Sequence, residues 1–261
     1  DIIREAENIR LGLPTFEDER MQDEPEPENQ KEEHQSYSVY EQAQRYRAAK
    51  AVLQDIYALD AEHAEAVKAL EQLWEEGYTV AAHQLGKFYR DDLSTLRDHA
   101  KAEQWFRRSA EAGNDFSEYA LGKLLLTQKR WDEAMEWLDK AADHGSQFAQ
   151  YRLGKIYLTG EFVPKDVEKA LAYLTASADQ GNQFAQYTLG KLYLLGRDVP
   201  PDREQAKEWL IRSAAQGNEH ARFFLDRFDQ FRDPSVMLAA TKLLHHMSRI
   251  FQSNSVLPSN P

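Results

Sequence analysis

Residues 148–181 read FAQYRLGKIYLTGEFVPKDVEKALAYLTASADQG, and this stretch decides the fold. In its first part, Ala149, Leu153, Gly154 and Tyr157 fall on one stripe by the i, i+4, i+8 rule of an amphipathic helix. In its second part, from Val167 to Gln180, Ala170, Tyr173, Leu174 and Ala178 repeat the pattern. Gly181 follows where a helix ends in a left-handed cap. The joining segment Thr159 to Asp166 holds Gly160 and Pro164, and Asp166 stands where an N-cap is expected. The unit is therefore helix A, loop, helix B.

The unit recurs. LGK appears as Leu85-Gly86-Lys87, Leu121-Gly122-Lys123, Leu153-Gly154-Lys155 and Leu189-Gly190-Lys191, with glycines 36, 32 and 36 residues apart. A second series, Gly77, Gly113, Gly145, Gly181 and Gly217, runs at 36, 32, 36 and 36. Two series sharing one period and one four-residue deletion mark a repeat array. The deletion falls in the loop Thr127 to Arg130; Leu195 to Asp202 is full length and offers Asp202 as a second N-cap. A glycine inside a helix costs about 1 kcal/mol against alanine, so its recurrence predicts close approach of helix B. Trp105, Trp137, Tyr173 and Trp209 place one large ring per repeat as expected anchors between units, and Trp137→Ala is expected to cost ~3–5 kcal/mol.

These residues resemble the Sel1-like repeat, a subfamily of tetratricopeptide-type helical hairpins. Its pattern is approximately A-x-x-x-L-G-x-x-Y, a V-x-x-D loop, then K-A-x-x-W-x-x-x-A-A-x-x-G-N. Ala185 to Tyr193, Val199 to Asp202, Ala206, Trp209, Ala214 and Gly217-Asn218 supply nearly every position of one unit, and four copies span about residues 61–228. The resemblance implies an all-α, right-handed α-solenoid of antiparallel helix pairs that holds protein partners, often as an adaptor, with helices A lining its concave surface. The ends, Ile9 to Asp18 and Leu243 to Phe251, resemble the C-terminal region of relaxases encoded by mobile elements of Gram-positive bacteria. That implies the accessory part of a DNA-nicking enzyme, without its catalytic tyrosine and clustered metal-binding histidines.

Outside the repeats the organisation is expected to be a short N-terminal segment at 1–16, an acidic linker at 17–36 and a degenerate first helix pair at 37–77. Repeats at 78–228 and a C-terminal helix with tail at 229–261 complete it. The linker combines Pro25 and Pro27 with dense like charge, too little apolar surface to offset ordering. Asp233-Pro234 opens the last helix, whose stripe Met237, Ala240, Leu244, Met247 and Phe251 either caps the array or is offered to a partner groove. The chain begins with Asp1 rather than Met, the beginning expected of a fragment.

Net charge is −12, but residues 1–36 hold 12 acidic and 4 basic residues, which leaves −4 on the other 225. Such a chain is a poor general binder of polyanions, so DNA contact is expected only through a larger relaxase. The chain has no cysteine, which removes thiolate chemistry and suits the cytoplasm expected for it. No apolar run approaches the ~18 residues a membrane span needs. His245 and His246 diverge by ~100° on a helix and are not expected to share a metal. No catalytic set, metal site or cofactor motif is recognised, and none is expected.

The feature with functional promise is the row Lys87, Lys123, Lys155 and Lys191, placed by the helical wheel opposite the apolar stripe of helix A. Read plainly, the row is a solvated face. Read functionally, with Gln150, Gln186 and Arg152 nearby, it makes a mildly basic groove for a protein or peptide ligand, either an acidic peptide or the chain's own 17–36.

Overall fold

A computed structural model describes residues 33–55, 57–91 and 97–228. Every regular element among them is helical, as the repeat pattern predicts. After the first pair, α1 (Glu33–Gln54) and α2 (Asp60–Glu75), come the A helices α3 (Val80–Arg90), α5 (Asp115–Thr127), α7 (Gln147–Thr159) and α9 (Gln183–Leu195). They alternate with the B helices α4 (His99–Glu111), α6 (Trp131–Asp143), α8 (Val167–Asp179) and α10 (Arg203–Ala215), and the short α11 (Glu219–Asp226) follows. The fold is an α-solenoid of helix pairs. No helix among the described residues is long and apolar enough to cross a membrane. The N-terminal segment 1–16, the expected C-terminal helix at 229–261 and His245 and His246 lie outside the described residues. Helix α1 begins at Glu33, inside the stretch expected to be linker.

The turn from each helix B to the next helix A shows why the second glycine series exists. At the end of α8 the Gly181 N–H donates to the Ala178 carbonyl at 3.0 Å and the Asn182 N–H to the Ser177 carbonyl at 3.1 Å. Those two bonds define a Schellman stop, which needs the left-handed backbone that Gly181 adopts at φ +98°. The same pair recurs at Gly77, Gly113, Gly145 and Gly217. From Gly113 onward, the residue that completes each stop also starts the next helix. The side chains of Asn114, Ser146, Asn182 and Asn218 accept from backbone N–H groups of α5, α7, α9 and α11. One residue thus closes one helix and caps another, leaving no linker between repeats.

Loops from A to B are pinned by their aspartates. Asp98, Asp166 and Asp202 cap α4, α8 and α10. Their own N–H groups donate to the carbonyls of Tyr89, Tyr157 and Tyr193 at 2.9, 2.9 and 3.0 Å. The clipped loop has no such aspartate. Lys129 instead takes a positive φ of 61°, and Arg130 pairs with Glu103 at 2.7 Å and with Glu133. Arg107 bridges the same two carboxylates at 3.0 and 2.5 Å, so charge takes over where loop length was lost.

The described residues form two compact units, divided between Lys140 and Ala141. In the first, Tyr46, Leu70, Leu73, Leu85, Phe106 and Leu121 belong to one apolar cluster. In the second, Leu174, Leu189, Leu192 and Val199 form one cluster, and Leu194, Leu210 and Phe224 another.

The mid-helix glycines are contacts, as expected. A Cβ on Gly122, Gly154 or Gly190 would meet Cγ of Leu138, Leu174 or Leu210 at 2.7, 2.7 and 2.8 Å, and on Gly86 it would meet the Phe106 ring at 2.5 Å. The ring series is corrected. Trp105 is 9% exposed, whereas Trp137, Tyr173 and Trp209 are only partly buried. The next residue in each helix, Phe106, Leu138, Leu174 or Leu210, is fully enclosed. The large rings still lie between neighbours: Trp74 meets Trp105 edge-on at 6.3 Å, and Trp209 packs on a cluster that joins Leu174 and Ala178 of the preceding repeat to Leu189, Leu192 and Val199 of its own. Their outer faces carry cations, Arg108 over Trp105, Lys140 over Trp137 and Arg212 over Trp209, at 4.7 to 4.8 Å.

Candidate protein-interaction surface

The residues singled out in the sequence divide between two sides of helix A. Gln150 and Gln186 are buried on its core side, which corrects their expected place beside the lysines. Both ends of each amide are engaged. Gln150 Nε2 donates to the Ala142 carbonyl at 3.3 Å, and its Oε1 accepts from Gln180 Nε2 at 2.7 Å. Gln186 repeats this with the Ala178 carbonyl at 3.0 Å and Gln216 Nε2 at 2.8 Å. The glutamines are rivets between the C-terminal ends of successive B helices. The physical reason is angular: each stands four residues before the packing glycine, about 40° from it on the wheel and on the same side. In α5 the position is Glu118, whose fully enclosed carboxylate pairs with Lys140 Nζ at 3.0 Å.

The lysines are on the other side, but they are partly buried rather than fully exposed. Lys123 and Lys191 stand four residues after a tyrosine, so their stems lie along a ring. Lys123 Nζ sits 5.6 Å from the Tyr119 centroid and Lys191 Nζ 5.5 Å from that of Tyr187. Lys87 and Lys123 belong to the unit ending at Lys140. Arg152, Lys155 and Lys191 belong to the unit that follows, and there the surface can be described as one piece.

In that unit the A-helix face is a staircase of rings the sequence reading passed over. Tyr151 on α7 meets Phe184 on α9 at 6.1 Å, and Tyr187 on α9 stacks on His220 of α11 at 5.6 Å with 25° between planes. All four rings are partly exposed. Each step joins the position three residues before a packing glycine to the position six before it in the next repeat. The signal was available: Phe116, Phe148, Phe184 and His220 stand 32, 36 and 36 residues apart. It was hidden because the rings flank the LGK string that draws the eye.

Charge on α7 and α9 has one sign, whereas α11 carries Glu219 and Asp226 with Arg222. Helices α7 and α9 carry Arg152, Lys155 and Lys191 and no carboxylate. Among the described residues Lys191 makes no ion pair and lies against the Tyr187 ring. Burial, with the Lys155 charge added, lowers its pKa to about 8. Burial and then the Lys191 charge lower that of His220, and burial raises that of Tyr187. The face therefore sets the Lys191 cation beside a ring. Among the described residues no group of three or more His, Asp or Glu could hold a metal ion.

The repeats match known ones. The Sel1 repeat family model fits residues 79–114, 132–146, 147–182 and 183–218, omitting the stretch with α5 and the clipped loop. A Sel1 repeat protein from Oxalobacter formigenes is 31% identical over 69% of this chain and 75% of its own, with a TM-score of 0.60. The protective antigen c5321 of uropathogenic Escherichia coli, which displays an SLR fold, is 20% identical with a TM-score of 0.64. That alignment covers 98% of this chain and 56% of the antigen, so the chain spans little more than half of that protein, and the likeness is one of fold. No curated protein matches the sequence. With helix pairs, packing glycines and Schellman stops recurring at the family's period, the chain belongs to the Sel1 repeat family.

Proposed function

We propose that the chain is a protein-interaction scaffold that takes a segment of its partner along the A-helix face, between Lys155 and Lys191. The observation that carries the reading is the partly exposed staircase Tyr151–Phe184 and Tyr187–His220, with Lys191 set against the Tyr187 ring. Partly exposed rings supply contact area at low entropic cost, and Tyr, Trp and Arg are the residues on which interfaces concentrate their energy. Membership of the Sel1 repeat family supports the same reading. It asks for no catalysis.

The finer placement of this scaffold, in the accessory region of a mobilisation relaxase, is supported only by the resemblance of residues 9–18 and 243–251. An accessory DNA-binding role for that region would have to overcome the acidic balance of the chain.

Display selection of random 12-residue peptides on the full chain tests the scaffold reading. Peptides enriched on the parent are expected to bind at least tenfold more weakly to Tyr151→Ala/Tyr187→Ala, and unchanged to Lys207→Gln/Arg212→Gln on α10. Circular dichroism monitors folding of both variants. Absence of enrichment, or peptides indifferent to the rings, would overturn it.

A further inference from the structure

We infer that the turn joining α5 to α6 is an electrostatic latch between the B helices of successive repeats, α4 and α6. Glu103 and Arg107 of α4, Gln128 and Arg130 of the turn and Glu133 of α6 hold it closed. Screening their charges releases the turn and the start of α6, while the turns that Asp166 and Asp202 close stay shut.

This turn lacks the devices that close its longer counterparts. In the loops that follow α7 and α9, Gly160 and Gly196 take the left-handed backbone at φ 68° and 60°. Asp166 and Asp202 cap the next helix there, while their own N–H groups donate to the carbonyls of Tyr157 and Tyr193. None of these contacts pairs two charged side chains, so salt has little to screen. In the clipped turn the left-handed position is filled by Lys129, at φ 61° the one non-glycine residue so placed among the described residues. Arg130 follows at the N-cap of α6, its carbonyl accepting from the Ala134 N–H at 3.0 Å. A guanidinium has no acceptor to offer the open N–H groups of a helix start. The backbone supplies only the stop, in which Lys129 and Arg130 donate to the carbonyls of Leu126 and Leu125 at 3.1 and 3.0 Å. Side chains supply the rest as a closed ring of alternating charge. Glu103 meets Arg107 and Arg130 at 3.0 and 2.7 Å, and Glu133 meets the same two arginines. Gln128 joins the ring, donating to Glu103 at 3.1 Å and accepting from Arg130 at 3.0 Å. A single exposed ion pair contributes little, but here every charge has two partners, so losing one weakens two contacts. The four charged side chains are between 19% and 42% exposed, open enough for salt to reach them.

Hydrogen exchange of the full chain, read by mass spectrometry, tests the latch in NaCl at about 0.01 M and about 1 M, where the screening length falls from about 30 Å to about 3 Å. The amides of residues 129–134 are expected to exchange at least tenfold faster at high salt, and those that open α8 and α10, at 167–170 and 203–206, less than twofold faster. Glu103→Gln/Glu133→Gln should exchange fast at 129–134 at both salt concentrations. Lys129→Gly, which eases the left-handed backbone and leaves the ring intact, should exchange more slowly than the parent and keep its salt response. Equal protection of 129–134 at the two salt concentrations, an equal acceleration at the starts of α8 and α10, or a salt response that survives the double glutamine variant overturns the inference. The comparison on the parent needs no substitution, so a variant that failed to fold would leave the test intact.

Discussion

Gly154 and Leu174 are packed so closely that a single added carbon would stand 2.7 Å from the leucine Cγ and 3.2 Å from its backbone nitrogen. The relationship turns a helix-weakening residue into a structural requirement. Gly154→Ala gains ~1 kcal/mol of helix propensity but incurs the ~1–3 kcal/mol of overpacking a full core, for a net loss of about 1 kcal/mol. Leu174→Ala alone should cost ~2–5 kcal/mol. In that background Gly154→Ala should become neutral or stabilising, because most of the clash has gone. Urea denaturation of the four proteins measures the coupling, and strict additivity would show that the two residues do not oppose one another.

Trp137 and Leu138 invite the opposite ranking from the one their sizes suggest. Leu138 is wholly enclosed and meets Gly122, whereas Trp137 is partly exposed beneath Lys140. Leu138→Ala should cost ~2–5 kcal/mol, and Trp137→Ala about 1–2 kcal/mol, below the range expected from its ring alone. Thermal unfolding ranks them. A larger loss at Trp137 would mean that its ring reaches deeper than the structure places it.

How much of this was legible in the sequence follows from the scale of each signal. The period, the packing glycines, the stops at Gly181 and the caps at Asp166 and Asp202 each require one residue type at one position, so they survive as strings. Burial is read through angles, and neighbours differ by ~100°. The ring at Trp137 and the true core residue at Leu138 are therefore indistinguishable until a partner helix is placed. The same one-step blur put Gln150 beside Lys155 and hid the Tyr151–Phe184 step, which joins positions 33 residues apart in the chain.

Gln186 shows what an amide does that neither a hydrocarbon nor a carboxylate can. It donates to the Ala178 carbonyl and accepts from Gln216, while buried. Gln186→Met should cost ~1–3 kcal/mol, mainly through the carbonyl left without its donor. Gln186→Glu keeps the acceptor but loses the donor and encloses a charge. It should be worse than Met at pH 7 and recover as acidification protonates the carboxyl and restores a donor. The natural glutamate at this position, Glu118, is answered by Lys140. Lys140→Met should therefore be more costly than an exposed lysine's loss, and comparison with Lys140→Met/Glu118→Gln by chemical denaturation checks that the carboxylate is the reason. Equal losses in the two would remove it.

Lys191 links the stability of the fold to its binding surface. Its pKa falls from 10.5 to about 8 on folding, so between those values the unfolded chain holds the extra proton. Stability must then rise with pH across that window: the penalty of the enclosed charge is fully present below about pH 8 and is gone above about 10.5. Lys191→Met should stabilise the protein by about 1–3 kcal/mol at pH 7, with the advantage shrinking to nothing by pH 10.5. Denaturation of parent and variant at pH 7, 9 and 10.5 measures the convergence. If the two curves stay parallel, Lys191 is solvated like any surface lysine.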